Sequence, residues 1–268
     1  MLEFILKDGS KLEMPEGCKI EEVAQKISAG LARASLAARL DGEIVEMNHV
    51  ADKGGKLEFL TFADEDGRKV YRHTASHVLA QAVKRLYPNT KLAIGPAIDN
   101  GFYYDFDTEI PFTADVLEKL EAEMKKIIKE DLPLVRSVKP REEAVKYMEQ
   151  KGEPYKVELI NDLPEDSVVS FYTQGDFTDL CAGPHLASTG KLKAIKLTSC
   201  TGTGAAMKRI RCYPVSTALR FLSRASLTNI LHALKKPKSA TIAVLARNSA
   251  FSHFSKKVRV SRSSSRRV

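Results

Sequence analysis

The feature that most constrains this chain is a change in charge near residue 200. The chain has 42 Lys and Arg and 34 Asp and Glu in 268 residues, and no acidic residue follows Ser199. The segment 200–268 holds 15 of the basic residues, which leaves 27 basic and 34 acidic residues before it. A single domain of even composition does not divide its charges in this way. We therefore predict a net acidic body, residues 1–199, and a separate basic segment.

Composition and local patterns narrow the class of protein. With 43% hydrophobic and 28% charged residues, the chain resembles globular proteins in composition. No run approaches the roughly 18 apolar residues that a membrane span needs, and the first residues lack a signal sequence, so we expect no membrane partner and a cytoplasmic location. No CxxC motif is present, which favours reduced thiols for the four cysteines, Cys18, Cys181, Cys200 and Cys212.

Residues 1–62 have the pattern of a small α+β domain. Asp8-Gly9 is a strong two-residue hairpin signal, and apolar residues from Ile20 to Ile27 keep helical spacing. Two further strands flank Asp41-Gly42, and another strand closes the domain. The acidic segment 64–67 is interpreted as a linker.

Residues 64–199 are predicted to form a second α+β domain. Helical spacing covers residues 70–87, where Pro88 ends the helix, and appears again over residues 116–128. The other predicted elements are a helix over 141–151 and strands over 134–138, 168–172 and 194–197. The segment 200–268 ends in Arg and Ser, and nothing in it offsets the positive charge, so we expect a poorly ordered basic tail.

Two pairs of candidate ligands lie in the second domain. His73 and His77 are four residues apart on a predicted helix, so they share one face. Cys181 and His185 have the same spacing, in a segment whose glycine and proline favour a turn. Three histidines and one cysteine suit a tetrahedral zinc ion. They equally suit a cluster that positions and polarises a water molecule, and both interpretations stay open at this point.

Other polar and aromatic residues carry weaker signals. Tyr103 and Tyr104 could stack on a base or a ribose, although a strand of Phe and Tyr is more often part of a core. Lys156 could contact a phosphate, although its local sequence does not distinguish it from surface lysines. His49 and His232 stand alone in the sequence, so we assign them no role.

Three ordered segments resemble the N-terminal half of bacterial-type threonyl-tRNA synthetases. They are Val70–Ala80 with its two histidines, Ile94–Phe106 with the two tyrosines, and Phe177–His185. Residues 1–62 resemble the ubiquitin-like TGS module of that family. Residues 64–199 resemble its editing domain, whose fold is shared with alanyl-type editing proteins. The resemblance implies an α+β fold class, with a β-grasp domain followed by an editing domain and the basic tail.

The same resemblance implies an activity, the hydrolysis of serine wrongly attached to threonine tRNA. A binding pocket gains only about 1–3 kcal/mol from the methyl group that distinguishes threonine from serine, so a second site must remove the error. Carried over by motif, that site would be lined by His73, His77, Lys156, Asp179, Cys181 and His185. A histidine or Lys156 would activate or orient the water, and the other side chains would bind the 3′ ribose and the serine hydroxyl.

The resemblance also bears on cofactors. Editing in this family requires none, whereas alanyl-type relatives hold zinc with the corresponding cluster, so zinc at the three histidines and Cys181 stays open. After Lys196–Ser199 the family continues with a Gly-Ala-Tyr-Trp segment and an ATP-dependent synthetase domain. This chain has no tryptophan, and we expect the synthetase domain with its ATP and magnesium sites to be absent. We hypothesise that residues 200–268 are an out-of-frame translation; a gene with no synthetase-like frame downstream would contradict this.

Three functions compete at this stage. The first is an aminoacyl-tRNA deacylase whose partner is threonine tRNA mischarged with serine. The second is a catalytically idle fragment of a threonyl-tRNA synthetase. The third is a non-catalytic tRNA-binding module whose basic tail binds the phosphates. Alanine at His73 or His77 should abolish turnover in the first case and leave tail-driven binding unchanged in the third. The sequence makes no prediction of oligomeric state.

Overall fold

The computed structural model describes residues 1–98, 101–193, 195–202 and 207–214, with side chains described up to residue 200 within these ranges. Its helices are α1 (Ile20–Ile27), α2 (Ala29–Ala34), α3 (Glu65–Leu86), α4 (Ala114–Glu130), α5 (Arg141–Gln150) and α6 (Pro154–Asn161). Its strands are β1 (Leu2–Leu6), β2 (Lys11–Met14), β3 (Ala37–Leu40), β4 (Glu43–Val45), β5 (Gly55–Leu60), β6 (Lys91–Leu92), β7 (Ala97–Ile98), β8 (Gly101–Asp107), β9 (Val135–Pro140), β10 (Val168–Gln174), β11 (Phe177–Leu180), β12 (Ile195–Gly202) and β13 (Met207–Pro214).

The first domain is a five-stranded sheet in the order β2-β1-β5-β3-β4, with α1 packed against it. Strands β1 and β5 pair in parallel, and the other neighbours are antiparallel. Asp41 and Gly42 both have positive φ, as the tight hairpin between β3 and β4 requires. Ile20, Val23 and Ala24 form the buried face of α1. The predicted α+β class and the β-grasp architecture are confirmed.

The predicted linker at residues 64–67 is wrong, because α3 begins at Glu65. The Asp64 carboxylate accepts a 2.7 Å hydrogen bond from the backbone N–H of Thr61, and Asp66 forms a 2.7 Å ion pair with Arg39 of β3. Acidic residues suit both a solvated linker and the positive end of a helix, and here the contacts with Thr61 and Arg39 decide for the helix.

The two domains consequently share buried apolar contacts. Leu36, Ala37 and Leu60 of the first domain belong to the same buried cluster as Val70 and Tyr71 of α3. A continuous core of this kind opposes independent motion of the two units.

The second domain is arranged around α3, most of whose length is buried. One face of α3 packs on β8, which lies in a sheet ordered β12-β13-β8-β6, with β7 paired to β8. A second sheet, β11-β10-β9, is antiparallel and is covered by α5 and α6. Helix α6, which the sequence analysis did not predict, begins with Pro154 at its first position, where the missing N–H is not needed.

The sheet continues beyond the expected domain boundary at residue 199. Strand β12 extends to Gly202, and β13 pairs with β12 up to Pro214 and with β8 up to Cys212. The expectation of a poorly ordered tail falls mainly on residues 203–206 and 215–268, which lie outside the described residues. Among the described helices, none combines the length and apolar character needed to cross a membrane.

Candidate functional site

Three histidines and a cysteine converge between α3 and the loop that follows β11. Helix α3 presents His73 and His77 on one face, as their spacing predicted, and the loop carries Cys181 and His185. One nitrogen or sulfur atom from each of the four lies within 4.8 Å of the others. The His185 ring centroid is 4.1 Å from that of His73 and 4.2 Å from that of His77. The four side chains therefore form one cluster.

The hydrogen bonds around the cluster assign the proton positions on two rings. Nδ1 of His73 lies 3.2 Å from the Pro184 carbonyl oxygen, which can only accept, so this nitrogen carries the proton. Nδ1 of His185 lies 3.2 Å from the Thr74 hydroxyl, which donates its own hydrogen to the Val70 carbonyl and so accepts from the ring. In both rings Nε2 is left with its lone pair.

Both lone pairs point at the same sulfur. Nε2 of His73 and Nε2 of His185 each lie 3.1 Å from Sγ of Cys181. A thiol has one hydrogen and can donate it to one of the two nitrogens. The Nδ1 atom of His77 is also buried and has no hydrogen-bond partner among the described residues. The cluster thus has more acceptors than protons, which favours a bound cation, a further proton or a donating ligand.

Burial keeps most of the cluster uncharged near neutral pH. Burial lowers the pKa of His77 to about 3 and the pKa of His185 well below its ordinary value. It also raises the pKa of the Cys181 thiol to about 12. His73 is the partly exposed member of the four, and the other three are buried. Neutral imidazoles can act as ligands or as acceptors of a proton through the nitrogen that carries no hydrogen.

The donor set fits a metal ion. In a tetrahedral zinc site the ligand atoms lie about 3.3–3.8 Å apart, given the usual Zn–N and Zn–S bond lengths. The separations in the cluster, 3.1 Å at two Sγ···Nε2 pairs and at most 4.8 Å overall, are close to that range. The converging lone pairs of His73 and His185 are the groups that such an ion would satisfy.

A second polar group, made of Lys156, Asp179 and Tyr104, lies beside the cluster. Nζ of Lys156 is 2.9 Å from Oδ1 of Asp179, and the Tyr104 hydroxyl donates to Oδ2 of the same carboxylate at 2.9 Å. All three residues are almost fully buried. Burial alone would raise the pKa of the Asp179 carboxyl, but the neighbouring Lys156 ammonium and these hydrogen bonds lower it below its ordinary value. The carboxylate is therefore ionised and held by three donors, the third being the backbone N–H of Leu180.

Local structure explains why these two groups are neighbours. Asp179 and Cys181 are two residues apart along an extended segment, so their side chains project from the same face of the β11 strand and its continuation. Cys181 continues the pairing of β11 by donating its backbone N–H to the Ser170 carbonyl. Helix α6 brings Lys156 to this face, and β8 brings Tyr104.

The structure gives the remaining candidates different positions. Tyr104 is 1% exposed and stacks on Phe106, so it offers its hydroxyl and not an open ring face. Tyr103 is 9% exposed on the opposite side of β8. Stacking of a base or ribose on these two rings stays a prediction. His49 is exposed, and His232 lies outside the described residues.

Sequence reasoning missed three residues that support the cluster. Thr74 accepts from His185 and from the backbone N–H of Leu186. The Tyr172 ring packs against His185 with a centroid separation of 4.4 Å. Glu46, from the first domain, accepts from the backbone N–H of His185. Only Thr74, one residue after His73, had a local signal, because it lies on the same helical turn as the ligand.

Comparison with known proteins gives a consistent picture. Residues 3–61 match the family described as the TGS domain, and residues 169–211 match the family described as the threonyl and alanyl tRNA synthetase second additional domain. Over 202 residues the chain is 62% identical to a threonine--tRNA ligase of Acetivibrio thermocellus. Identity to the threonine--tRNA ligases of Clostridium botulinum strain Hall and Clostridium kluyveri strain ATCC 8527 is 60% and 58% over the same length.

These alignments cover 75% of this chain and 32% of each relative. The chain therefore spans about a third of the length of the curated relatives it matches. The matches confirm the resemblance that the three sequence motifs predicted, together with the assignment of a TGS domain and an editing-type domain.

Proposed function

We propose, because this chain resembles the N-terminal part of threonyl-tRNA synthetases, that its second domain hydrolyses serine from threonine tRNA. The observation that carries the proposal is the pairing of two groups in one buried site. One group is the lone-pair-rich cluster of His73, His77, Cys181 and His185. The other is the Lys156–Asp179 ion pair with the Tyr104 hydroxyl. Water activation and polar substrate recognition are the two functions that ester hydrolysis needs.

The proton assignments favour His73 as the group that meets the attacking water. It is the partly exposed histidine of the cluster, and its Nε2 has a lone pair because Nδ1 donates to Pro184. The oxygen of water attacks the carbonyl carbon of the seryl ester while Nε2 takes one of its protons. The bond to the 3′ oxygen of the terminal ribose then breaks, and the proton passes to that oxygen. Free serine and a tRNA with an intact 3′ hydroxyl result.

Lys156 and Asp179 are assigned to substrate positioning. Their charges neutralise each other, so the pair can remain buried before substrate arrives. Asp179 offers acceptor lone pairs and Lys156 offers donors, which suits the ribose hydroxyl and the serine hydroxyl that distinguish this substrate. Tyr104 holds the carboxylate in place from the other side.

Zinc is the metal that the cluster would take. Nε2 of His73, Nε2 of His185, a His77 nitrogen and Sγ of Cys181 would hold it, and Nε2 of His73 would then not be available as the proton acceptor. Such an ion would polarise an oxygen ligand as a Lewis acid only if one of these four side chains left its coordination position open. Binding would require loss of the Cys181 proton, which burial otherwise retains.

The partner in this proposal is threonine tRNA charged with serine, and the location is the cytoplasm, where tRNA is charged. Cys18 and Cys181 are free thiols, which agrees with a reducing compartment. Residues 1–62 would act as the TGS domain and residues 64–199 would hold the editing site. Strand β12 and strand β13, which ends at Pro214, belong to the sheet of the second domain, the basic residues 215–268 lie outside the described residues, and the out-of-frame origin of 200–268 remains our hypothesis.

Substitution of His73 tests the proposal. We expect His73→Ala to lower the rate constant for serine release from seryl-tRNA(Thr) by about 10²–10⁴-fold, because the proton acceptor is lost. His49→Ala, which removes an exposed histidine of the first domain, is the matched control and should retain the full rate. Equal rates for wild type and His73→Ala would refute the assigned chemistry. Binding of tRNA without turnover by the wild-type chain would favour the binding module, and neither activity would favour the idle fragment.

A further inference from the structure

A carboxylate of the first domain reaches the loop that carries two of the cluster residues. Glu46 follows β4, and its Oε1 accepts a 2.9 Å hydrogen bond from the backbone N–H of His185. Burial and the neighbouring Glu46 carboxylate raise the pKa of the Tyr172 hydroxyl, so Tyr172 lies beside the same carboxylate. Glu46 is half-buried at the contact between the domains, where water competes less for its oxygens. A hydrogen bond to an ionised acceptor is stronger than one between neutral groups.

The loop has three side-chain anchors in a row, and Glu46 is the one that comes from the other domain. The Pro184 carbonyl faces Nδ1 of His73, and the Leu186 N–H donates to the Thr74 hydroxyl at 2.9 Å. The His185 N–H lies between these two groups and is held by Glu46. Helix α3 alone therefore leaves the central donor of the loop without a partner.

The side chain of His185 has a further neighbour in this region, Tyr172. The Tyr172 ring lies edge-on to the His185 ring at a centroid separation of 4.4 Å. The same His185 ring presents Nε2 to Cys181. The Glu46 carboxylate therefore holds the backbone N–H of His185, and Tyr172 forms one wall of the His185 ring.

We propose that Glu46 is a positioning residue for the site of the second domain, so that the TGS domain has a direct part in editing. The inference rests on the proposed function. It is carried by the contact of Glu46 with the His185 N–H and by the packing of Tyr172 on His185. Glu46 does not touch substrate in this account; it acts by holding the loop in the geometry that places Cys181 and His185.

Amide hydrogen exchange resolved at single residues tests the anchor without reference to activity. In the full chain, Glu46→Ala should remove the protection of the His185 amide while the Leu186 amide, bonded to Thr74, keeps its protection. Glu46→Gln retains an oxygen that can accept from His185 and should restore protection. Asn48→Ala is the matched control, because Asn48 donates to the Leu134 carbonyl across the same interface at 3.1 Å without touching His185.

Single-turnover hydrolysis of seryl-tRNA(Thr) by the same variants tests the consequence. We expect Glu46→Ala to lower the rate constant by about 10- to 100-fold with unchanged tRNA affinity, the loss that follows from a displacement of about 1 Å in a reacting site. Glu46→Gln should recover most of the rate, and Asn48→Ala should resemble wild type.

Each result decides a different claim. Unchanged protection of the His185 amide in Glu46→Ala, or equal losses of rate in Glu46→Ala and Asn48→Ala, would overturn the proposal for Glu46. A wild-type chain that releases no serine would overturn the proposed function, and the exchange of the His185 amide would still decide whether Glu46 anchors the loop.

Discussion

Two imidazole nitrogens, each with a lone pair, face the Cys181 thiol, which has one hydrogen to donate. The site therefore has more hydrogen-bond acceptors than donors, and this difference determines its chemistry. His73 and His185 each present Nε2 to the sulfur at 3.1 Å. The protonation of each ring follows from the partner of its Nδ1 atom. For His73 this partner is the Pro184 carbonyl, and for His185 it is the Thr74 hydroxyl, which donates its own hydrogen to the Val70 carbonyl. A site with surplus lone pairs is prepared to accept a proton from water or to bind a cation.

A pH-dependent stability is expected from the buried histidines. Burial lowers the pKa of His77 to about 3, against 6.5 for an unburied imidazole. Between pH 3 and pH 6.5 the unfolded chain binds a proton at His77 that the folded chain does not bind. The free energy of unfolding therefore has its full value above pH 6.5 and decreases as the pH falls from 6.5 towards 3. One such group contributes a slope of about 1.4 kcal/mol per pH unit.

The measurement is chemical denaturation at a series of pH values between 4 and 7, with a chelator present. Replacing His77 by Gln should make the dependence of unfolding free energy on pH shallower. His49→Gln, which changes an exposed histidine, should leave the slope as in wild type. Parallel curves for wild type and His77→Gln would contradict the buried neutral state of His77.

At this scale, sequence reasoning was strongest where spacing carries geometry. His73 and His77 on a helix, and Cys181 and His185 in a turn, were predicted as pairs, and the structure places them in one cluster. Asp179 and Lys156 were assigned by resemblance, because a single acid or lysine has no local signature. Glu46 was missed because its contact with His185 spans 139 residues of chain.

At the level of elements, the loop after β11 depends on a glycine at a close contact. Gly183 has φ of +72°, and a Cβ there would lie 2.1 Å from the Tyr172 hydroxyl oxygen. Gly17 has nearly the same φ, +75°, with no atom within 4 Å of its Cβ position. The two glycines therefore separate the cost of backbone conformation from the cost of a clash.

Alanine at the two glycines should give different results. Gly17→Ala should lower the free energy of unfolding by about 1–2 kcal/mol, the cost of a left-handed conformation, without affecting hydrolysis. Gly183→Ala should cost more stability and should lower the rate of serine release, because Tyr172 must move away from His185. Denaturation and single-turnover assays measure both effects. Equal behaviour of the two variants would show that the packing of Gly183 on Tyr172 has no functional part.

Most elements were predictable from periodicity and turn residues, and the failures have physical causes. Strands β1 to β5 and helices α1, α3, α4 and α5 follow local patterns in the sequence. Helix α6 has eight residues and buries few of them, so its apolar spacing is faint. The acidic segment 64–67 was assigned to a linker because acids suit both a solvated loop and a helix start, and only contacts with Arg39 and Thr61 decide between them.

At the level of the whole molecule, the two domains share a core. Leu60 of β5 is 1% exposed and belongs to the cluster that includes Val70 and Tyr71 of α3. Together with the Glu46–His185 contact, this joins the first domain to the site in the second. We therefore expect the described part of the chain to unfold as one cooperative unit.

Leu60→Ala tests this expectation. The substitution should lower the free energy of unfolding by about 2–5 kcal/mol, because it leaves a cavity in the shared core. Far-ultraviolet circular dichroism and tyrosine fluorescence should report one common transition before and after the change. Val138→Ala, at a residue that is 51% exposed, should change the free energy by less than about 0.5 kcal/mol. Two separate transitions would show that the domains unfold independently.

The change in charge near residue 200 concerns the whole chain. Its similarity to threonine--tRNA ligases extends over 202 residues, while the acid-free segment occupies 200–268. Our hypothesis of out-of-frame translation predicts that another frame of the gene continues with a synthetase-like sequence. Translation of all three frames beyond codon 200 checks it, and the absence of such a frame would favour a genuine basic tail.

The central claim is that the second domain hydrolyses a serine ester with the clustered histidines, Cys181 and the Lys156–Asp179 pair. The most direct measurement is single-turnover release of labelled amino acid from seryl-tRNA(Thr) and from threonyl-tRNA(Thr) by the full chain. We predict serine release far above the uncatalysed rate and much slower release of threonine. Serine release at the rate of the protein-free control would contradict the claim.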